Sequence, residues 1–223
     1  MKKLRQLLTL LIVLLTACEQ DVYDKGDATY SHMRADFVEA YSNADRSVTY
    51  VVTDDDQRLT LKAPFTAKWL KADTTYRAVL YYNMVGTEVE ALNISQITTV
   101  PVKHHSLLKT AVKTDPVGFE SAWLSANGKY LNLGLVVKLG AVDSLTQKQS
   151  VGIVGDTILT HGDGRRTYQL RLYHNQGDVP EYYSQRVYIS VPVDTLDVDS
   201  LQLSVNTYSG VLTKRFKHTL KHH

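Results

Sequence analysis

The most reactive side chain in this 223-residue sequence is a single cysteine, Cys18. It closes the run Leu15-Thr16-Ala17-Cys18, behind Lys2, Lys3, Arg5 and an apolar stretch from Leu7 to Leu15. One thiol cannot make an internal disulfide. The eight histidines are His32, His104, His105, His161, His174, His218, His222 and His223, and none sits in a His-Glu-x-x-His helix motif. No Gly-x-Ser-x-Gly elbow and no phosphate loop occurs. His161 beside Gly162-Asp163-Gly164 is the one place where a histidine and a carboxylate share a turn. His104 and His105 are adjacent and on an extended segment would point to opposite sides, which suits a solvated pair better than a metal site. Asp54-Asp55-Asp56 lacks the further oxygen ligands of a calcium loop and reads as a hairpin turn. The expectation is therefore no catalytic centre, no metal and no cofactor.

Residues 1–17 have the charge order of a secretory signal, and their apolar run is too short to span a bilayer. The ending Leu-Thr-Ala-Cys resembles the lipobox of bacterial lipoproteins, in which the thiol is lipidated and the chain is cut before it. Cys18 would then be the first mature residue and the point of membrane attachment. Each buried acyl methylene contributes about 0.8 kcal/mol, so two or three chains hold a protein durably. Glu19 and Asp21, just after the cysteine, resemble the acidic surface-export signals of such lipoproteins. The expected location is the outer membrane, on its periplasmic face or at the cell surface.

Charge has to be corrected for that processing. The whole chain is +2, and removing Lys2, Lys3 and Arg5 leaves −1. From Glu19 to Val100 there are 8 Lys and Arg against 13 Asp and Glu, and from Pro101 onward 14 against 10. Oligonucleotide-binding barrels need a basic groove, because phosphate neutralisation supplies most non-specific affinity. A first half at −5 argues against nucleic acid as a partner.

Any such site would have to be positioned by strands. With 43% apolar residues and 14 tyrosines, the composition suits an all-β globular chain. Residues 18–28 read as a lipidated tether. Residues 29–101 carry five expected strands, 33–41, 48–53, 58–62, 76–85 and 88–98, with one irregular insertion around Trp69, the plan of an OB-like five-stranded barrel. Residues 102–114 read as a linker. Residues 115–223 carry seven more strands, 120–126, 129–139, 150–158, 167–174, 185–193, 201–207 and 211–218. Leu131, Leu133, Leu135, Val137 and Leu139 share one face of the second of these, and turns such as Asn127-Gly128 separate them. That spacing indicates an antiparallel, Ig-like β-sandwich.

The succession of a lipobox, an OB-sized first half, Asp115-Pro116, Trp123-Leu-Ser-Ala-Asn-Gly-Lys-Tyr-Leu-Asn-Leu133 and Tyr168-Gln-Leu-Arg-Leu-Tyr-His-Asn175 resembles the NigD-like lipoproteins of anaerobic gut-type bacteria. The resemblance implies an N-terminal OB domain followed by a C-terminal β-sandwich. It implies no settled activity.

Two further signals concern modification and contact. Asp73-Thr74-Thr75, Asp143-Ser144-Leu145, Asp156-Thr157-Ile158, Asp194-Thr195-Leu196 and Asp199-Ser200-Leu201 resemble the Asp-(Ser/Thr)-aliphatic or Thr sites that some of these bacteria O-glycosylate. Thr74, Ser144, Thr157, Thr195 and Ser200 are the candidate acceptors. The basic C-terminal segment from Lys214 reads as an exposed last strand or as a patch facing anionic headgroups. The functional expectation is a membrane-anchored, non-enzymatic binding or assembly module with an envelope protein or glycan partner. Its alternatives are a glycan-binding surface lipoprotein, which needs exposed aromatics, and a hydrolase with an inter-domain site. Tyr81-Tyr82 and Tyr182-Tyr183 are candidate aromatic contacts, one of each pair facing outward.

Overall fold

Fourteen strands and one 3₁₀ turn make up the computed structural model, which describes residues 32–141 and 148–218. In chain order the strands are β1 (Arg34–Ser42), β2 (Ser47–Thr53), β3 (Arg58–Thr66), β4 (Thr74–Val85), β5 (Glu88–Gln96), β6 (Thr98–Thr99), β7 (Val102–His104), β8 (Gly118–Leu124), β9 (Tyr130–Leu139), β10 (Ser150–Thr160), β11 (Arg166–Asn175), β12 (Tyr183–Pro192), β13 (Ser200–Thr207) and β14 (Gly210–Lys217). The 3₁₀ turn is His105–Leu107. Residues 34 onward form one compact unit.

The first five strands close into a barrel in the order β1-β2-β3-β5-β4, as expected for an OB-like domain. Closure comes from β4, which pairs antiparallel with both β1 and β5, and from a parallel β3–β5 contact at Leu61 and Val89. Period-2 alternation points Val38, Ala40, Tyr76, Ala78, Leu80 and Tyr82 into the barrel. The insertion between β3 and β4 supplies Leu70, buried against that core, with Trp69 edge-on to Tyr76 at 5.0 Å.

Residues 98–218 form two sheets, β14-β13-β11-β10-β7 and β6-β12-β9-β8, packed over a core of Leu131, Leu133, Leu135, Val137, Leu170, Leu172, Leu201 and Leu203. The sandwich carries three parallel pairings, β7–β10, β6–β12 and β11–β13, among its antiparallel ones. Two of the three come from the stretch expected to join the halves. The chain pairs with β12 at Thr98–Thr99, turns at Pro101, which has no N–H to donate, and pairs with β10 at Val102–His104. Downstream, Asn206 Nδ2 donates to the Thr114 carbonyl at 2.7 Å and the Asp115 N–H to the His174 carbonyl at 3.0 Å. The two ends of the stretch expected as a linker, Val102–His104 and Lys113–Thr114, are thus paired with the sandwich. A polar stretch with short apolar runs carries no strand period, so pairing with neighbours decided it.

Candidate functional site

The outward face of β4 is where the barrel meets the sandwich. Alternation that sends Ala78 inward sends Arg77 and Val79 outward, yet both are only 5% exposed. The outer face of β9 and β12 covers Arg77 with Tyr130, Asn132 and Ser190, and Asn132 and Ser190 are fully buried. Arg77 is held on several sides. Its guanidinium meets the Asp54 carboxylate at 2.6 and 2.8 Å, while Nε donates to Ser190 Oγ at 3.1 Å and Nη2 to Asn132 Oδ1 at 3.1 Å. Asn132 Nδ2 returns a bond to Asp54 Oδ2 at 3.1 Å, and Ser190 Oγ donates to Asn132 Oδ1 at 2.7 Å. The cation also lies 4.1 Å from the centre of the Tyr130 ring. Most polar atoms of the cluster thereby gain a partner inside the protein, the condition under which a buried charge is tolerable.

Two turns clasp the same boundary. Asp56 takes a positive φ of 64° in the β2–β3 hairpin, as a turn aspartate can. Beyond its turn role, the hairpin offers the Asp54 carbonyl to the Asn127 N–H at 2.7 Å and Asp56 Oδ1 to Asn127 Nδ2 at 3.1 Å. Alongside, Glu39 accepts bonds from Tyr130 Oη at 2.8 Å, Tyr41 Oη at 3.0 Å and Lys129 Nζ at 3.1 Å. Burial pushes the Glu39 carboxyl up, but those three donors outweigh it and hold the group below its ordinary value. Burial, then the Glu39 carboxylate, push Tyr41 up to about 12 and raise Tyr130 as well.

A cleft of about 920 Å³ opens beside this junction, between barrel residues Arg34, Asp36, Phe37 and Asp55 and sandwich residues Trp123 and Ser125. Phe37 meets Trp123 and Tyr188 edge-on at 5.0 and 5.5 Å. The cleft's carboxylates already have partners. Asp36 accepts from Tyr82 Oη at 2.7 Å, Asp54 binds Arg77, and Asp55 accepts from Thr53 Oγ1. Sequence reading assigned the Asp triplet to a turn and missed its docking role. Val79, an apolar residue on the outward side of an otherwise clean alternation, was the signal that this face is covered.

The other expected positions are dispersed. Cys18 and Ser144 lie outside the described residues. Thr157, beside a bulge in β10, and Thr195, in the turn after β12, are exposed. Thr74 is half-buried with its hydroxyl donating to the Ala72 carbonyl at 2.9 Å, and Ser200 is half-buried against Thr167. Tyr82 is buried in the barrel and Tyr81 half-buried, whereas Tyr182 and Tyr183 are both exposed, at 79% and 57%. Both face solvent because Tyr182 precedes the strand and escapes its alternation. The His104 and His105 rings lie side by side at 4.4 Å, because the chain leaves its strand for the 3₁₀ turn between them. Among the described residues, no three His, Cys, Asp or Glu side chains are grouped to hold a metal, and no helix is long and apolar enough to cross a membrane.

The family model for the NigD-like C-terminal beta sandwich domain matches residues 98–217, more than half of the chain. No curated protein matches the sequence. Among solved structures, the chain is similar to a NigD-like immunity protein from Bacteroides caccae, at 21% identity and a TM-score of 0.61, covering 81% of this chain and 91% of that one. It is similar to a candidate toxin-related protein from Parabacteroides distasonis, at 16% identity and a TM-score of 0.66, over 85% and 94% of the two chains. A candidate lipoprotein from Bacteroides fragilis aligns at 12% identity with a TM-score of 0.61, over 85% of this chain and 100% of that one. At these identities the likeness is one of fold, and it extends over barrel and sandwich together.

Proposed function

The chain belongs to the NigD-like family, and from that premise we propose that it is a membrane-anchored envelope lipoprotein acting as a non-enzymatic binding or assembly module. The observation that carries the reading is the signal that ends in Leu15-Thr16-Ala17-Cys18, with no second cysteine in the chain. Lipid on Cys18 would hold the protein at the outer membrane, facing the periplasm or the cell surface. The candidate lipoprotein among the fold relatives supports this placement. Docking of barrel to sandwich through a buried Arg77–Asp54 pair presents two β modules as one body, which suits recognition by surface loops and clefts. The function assigns no catalytic step, no cofactor and no nucleic acid. Thr157 and Thr195, exposed and in the expected tripeptides, are its preferred glycosylation sites.

The cleft favours a second reading, in which the partner is a glycan. Trp123 and Phe37, both half-buried, offer apolar ring surface there, beside the polar groups of Arg34, Asp36 and Gln57. One experiment covers both. Cells expressing the protein are fed a fatty-acid analogue, and the labelled protein is recovered from solubilised membranes with whatever it holds. The expected result is labelling that disappears in Cys18→Ser, with release of that variant to the soluble fraction. A stoichiometric protein partner supports assembly and recovered polysaccharide supports glycan capture. Absence of label, or a Cys18→Ser variant that stays with the membrane, overturns the lipoprotein reading.

A further inference from the structure

The end of the larger sheet gathers charged and hydroxyl groups that the proposed function does not use. Register explains how. Thr167 pairs with Ser200 and Ser200 with Lys217, so the three form one row across β11, β13 and β14. Gln169, Gln202 and Arg215 form the next row on the same face. Intervening residues Tyr168, Leu170, Leu201 and Leu203 point into the core, so both rows face outward. The β10–β11 turn, with Gly164 at a φ of 81°, folds over the first row and brings His161, Arg165 and Arg166 to it. The segment before β13 adds Asp197 and Asp199. Together they enclose a pocket of about 960 Å³.

Its charges are unevenly matched. Asp163 binds Arg165 at 2.6 Å, and Asp197 binds Arg166 at 2.6 Å. Bonds from the Arg165 backbone and side chain hold the Asp163 carboxyl below its ordinary value, so it remains an anion committed to that partner. Asp199 accepts the Arg166 backbone N–H at 2.7 Å. Among the described residues, Arg215 meets only the neutral Gln202 amide, at 2.8 Å, and Lys217 has no ion-pair partner. Four cations against three carboxylates leave the pocket with a positive excess, concentrated on β14. Beneath it lies a relay of hydrogen-bonded groups. Thr167, 3% exposed, has its Oγ1 at 2.7 Å from both His161 Nε2 and Ser200 Oγ. Each hydroxyl has one proton to give. When His161 carries its proton on Nε2, it donates to Thr167, Thr167 donates to Ser200, and the Ser200 proton is left for a ligand in the pocket.

We propose that this pocket binds a phosphate group, held by Arg215 and Lys217 and accepting a hydrogen bond from Ser200 at the end of the His161–Thr167 relay. A phosphomonoester carries close to two negative charges at neutral pH and several acceptor oxygens, which match two cations outside any ion pair and the Ser200 hydroxyl. Arginine supplies a planar fork and lysine a point charge, and both are common partners of phosphate. The same chemistry is met by a free phosphate ester and by the headgroup of an anionic phospholipid. The site stands whether or not Cys18 is lipidated, and its failure would leave the lipoprotein reading untouched.

The test uses the full chain in a neutral detergent, with the imidazole nitrogens of His161 followed by ¹⁵N NMR during titration with inorganic phosphate. Sodium chloride at matched ionic strength is the control. The expected result is a saturable shift of His161 toward the Nε2–H form, weakened roughly tenfold in Arg215→Gln/Lys217→Gln, whose exposed positions leave the fold intact. Ser200→Ala should still fold, by its amide dispersion, but should uncouple His161 from phosphate. Bicelles of phosphatidylcholine with and without phosphatidic acid separate the sources. A response to inorganic phosphate identifies a site for soluble phosphates, and a response to phosphatidic acid alone identifies a headgroup site. No response to either, a shift reproduced by chloride, or an undiminished shift in the double variant overturns the proposal.

Discussion

Glu39 shows how a single carboxylate ties the junction to pH. Its folded-state pKa lies below the ordinary 4.5, because hydrogen bonds from Tyr130, Lys129 and Tyr41 outweigh burial. Such a group adds stability above its unfolded pKa and loses it as pH falls through the folded value. Tyr41 runs the other way. It is raised from 10 to about 12, so its contribution is full below pH 10 and is lost as pH rises through about 12. Urea unfolding from pH 7 down to pH 3 should therefore show a smaller acid-side loss of stability in Glu39→Gln than in the wild type. Equal losses in the two proteins would remove Glu39 from the account. Neither role is visible in the sequence, where Glu39 and Tyr41 are merely the outward residues of an alternating strand and the sandwich partners of Glu39, Lys129 and Tyr130, lie about ninety positions away.

Among the elements, β10 and β11 carry the tightest local fit. Gly155 sits where β10 shifts register against β11, and a Cβ added there would lie 1.9 Å from Tyr168 Oη, whose ring is in the sandwich core. Gly155→Ala should cost about 1–3 kcal/mol by overpacking, read as a lower urea midpoint. Gly162→Ala, with nothing within 4 Å of the added atom, should be close to neutral and serves as the control. Equal midpoints for the two variants would show that the ring moves aside freely. Strand existence was legible from the sequence, because period-2 alternation and Asn-Gly or Asp-rich turns are local properties. Leu131, Leu133, Leu135 and Val137 do line the core as their spacing indicated. The short β6 and β7 were not legible, since two or three residues carry no period and only their partners in β12 and β10 make them strands.

For the whole molecule, the buried network around Arg77 couples barrel to sandwich. Breaking a buried ion pair by removing one partner typically costs about 3–5 kcal/mol, because the other charge is stranded. The chain has two tryptophans, and Trp69 reports on the barrel while Trp123, on β8, reports on the sandwich at its contact with the barrel residue Phe37. In Trp69→Phe and Trp123→Phe, fluorescence should record the same unfolding midpoint. Adding Arg77→Met to each should separate the two midpoints. Coincidence that survives the added substitution would mean that other contacts hold the bodies together.

By itself the sequence determined a lipobox-like segment, an all-β composition, the long strands and the turns between them, since each follows from neighbours along the chain. Tertiary structure alone decided that Val102–His104 pair into the sandwich, that Asp54 grips Arg77, and that Thr167, Ser200 and Lys217 share a row beneath His161. Those pairings join residues tens of positions apart, and no local pattern encodes which outward-facing side chain a second sheet will cover. That choice rests on the register of strands and on the cost of leaving buried polar groups without partners.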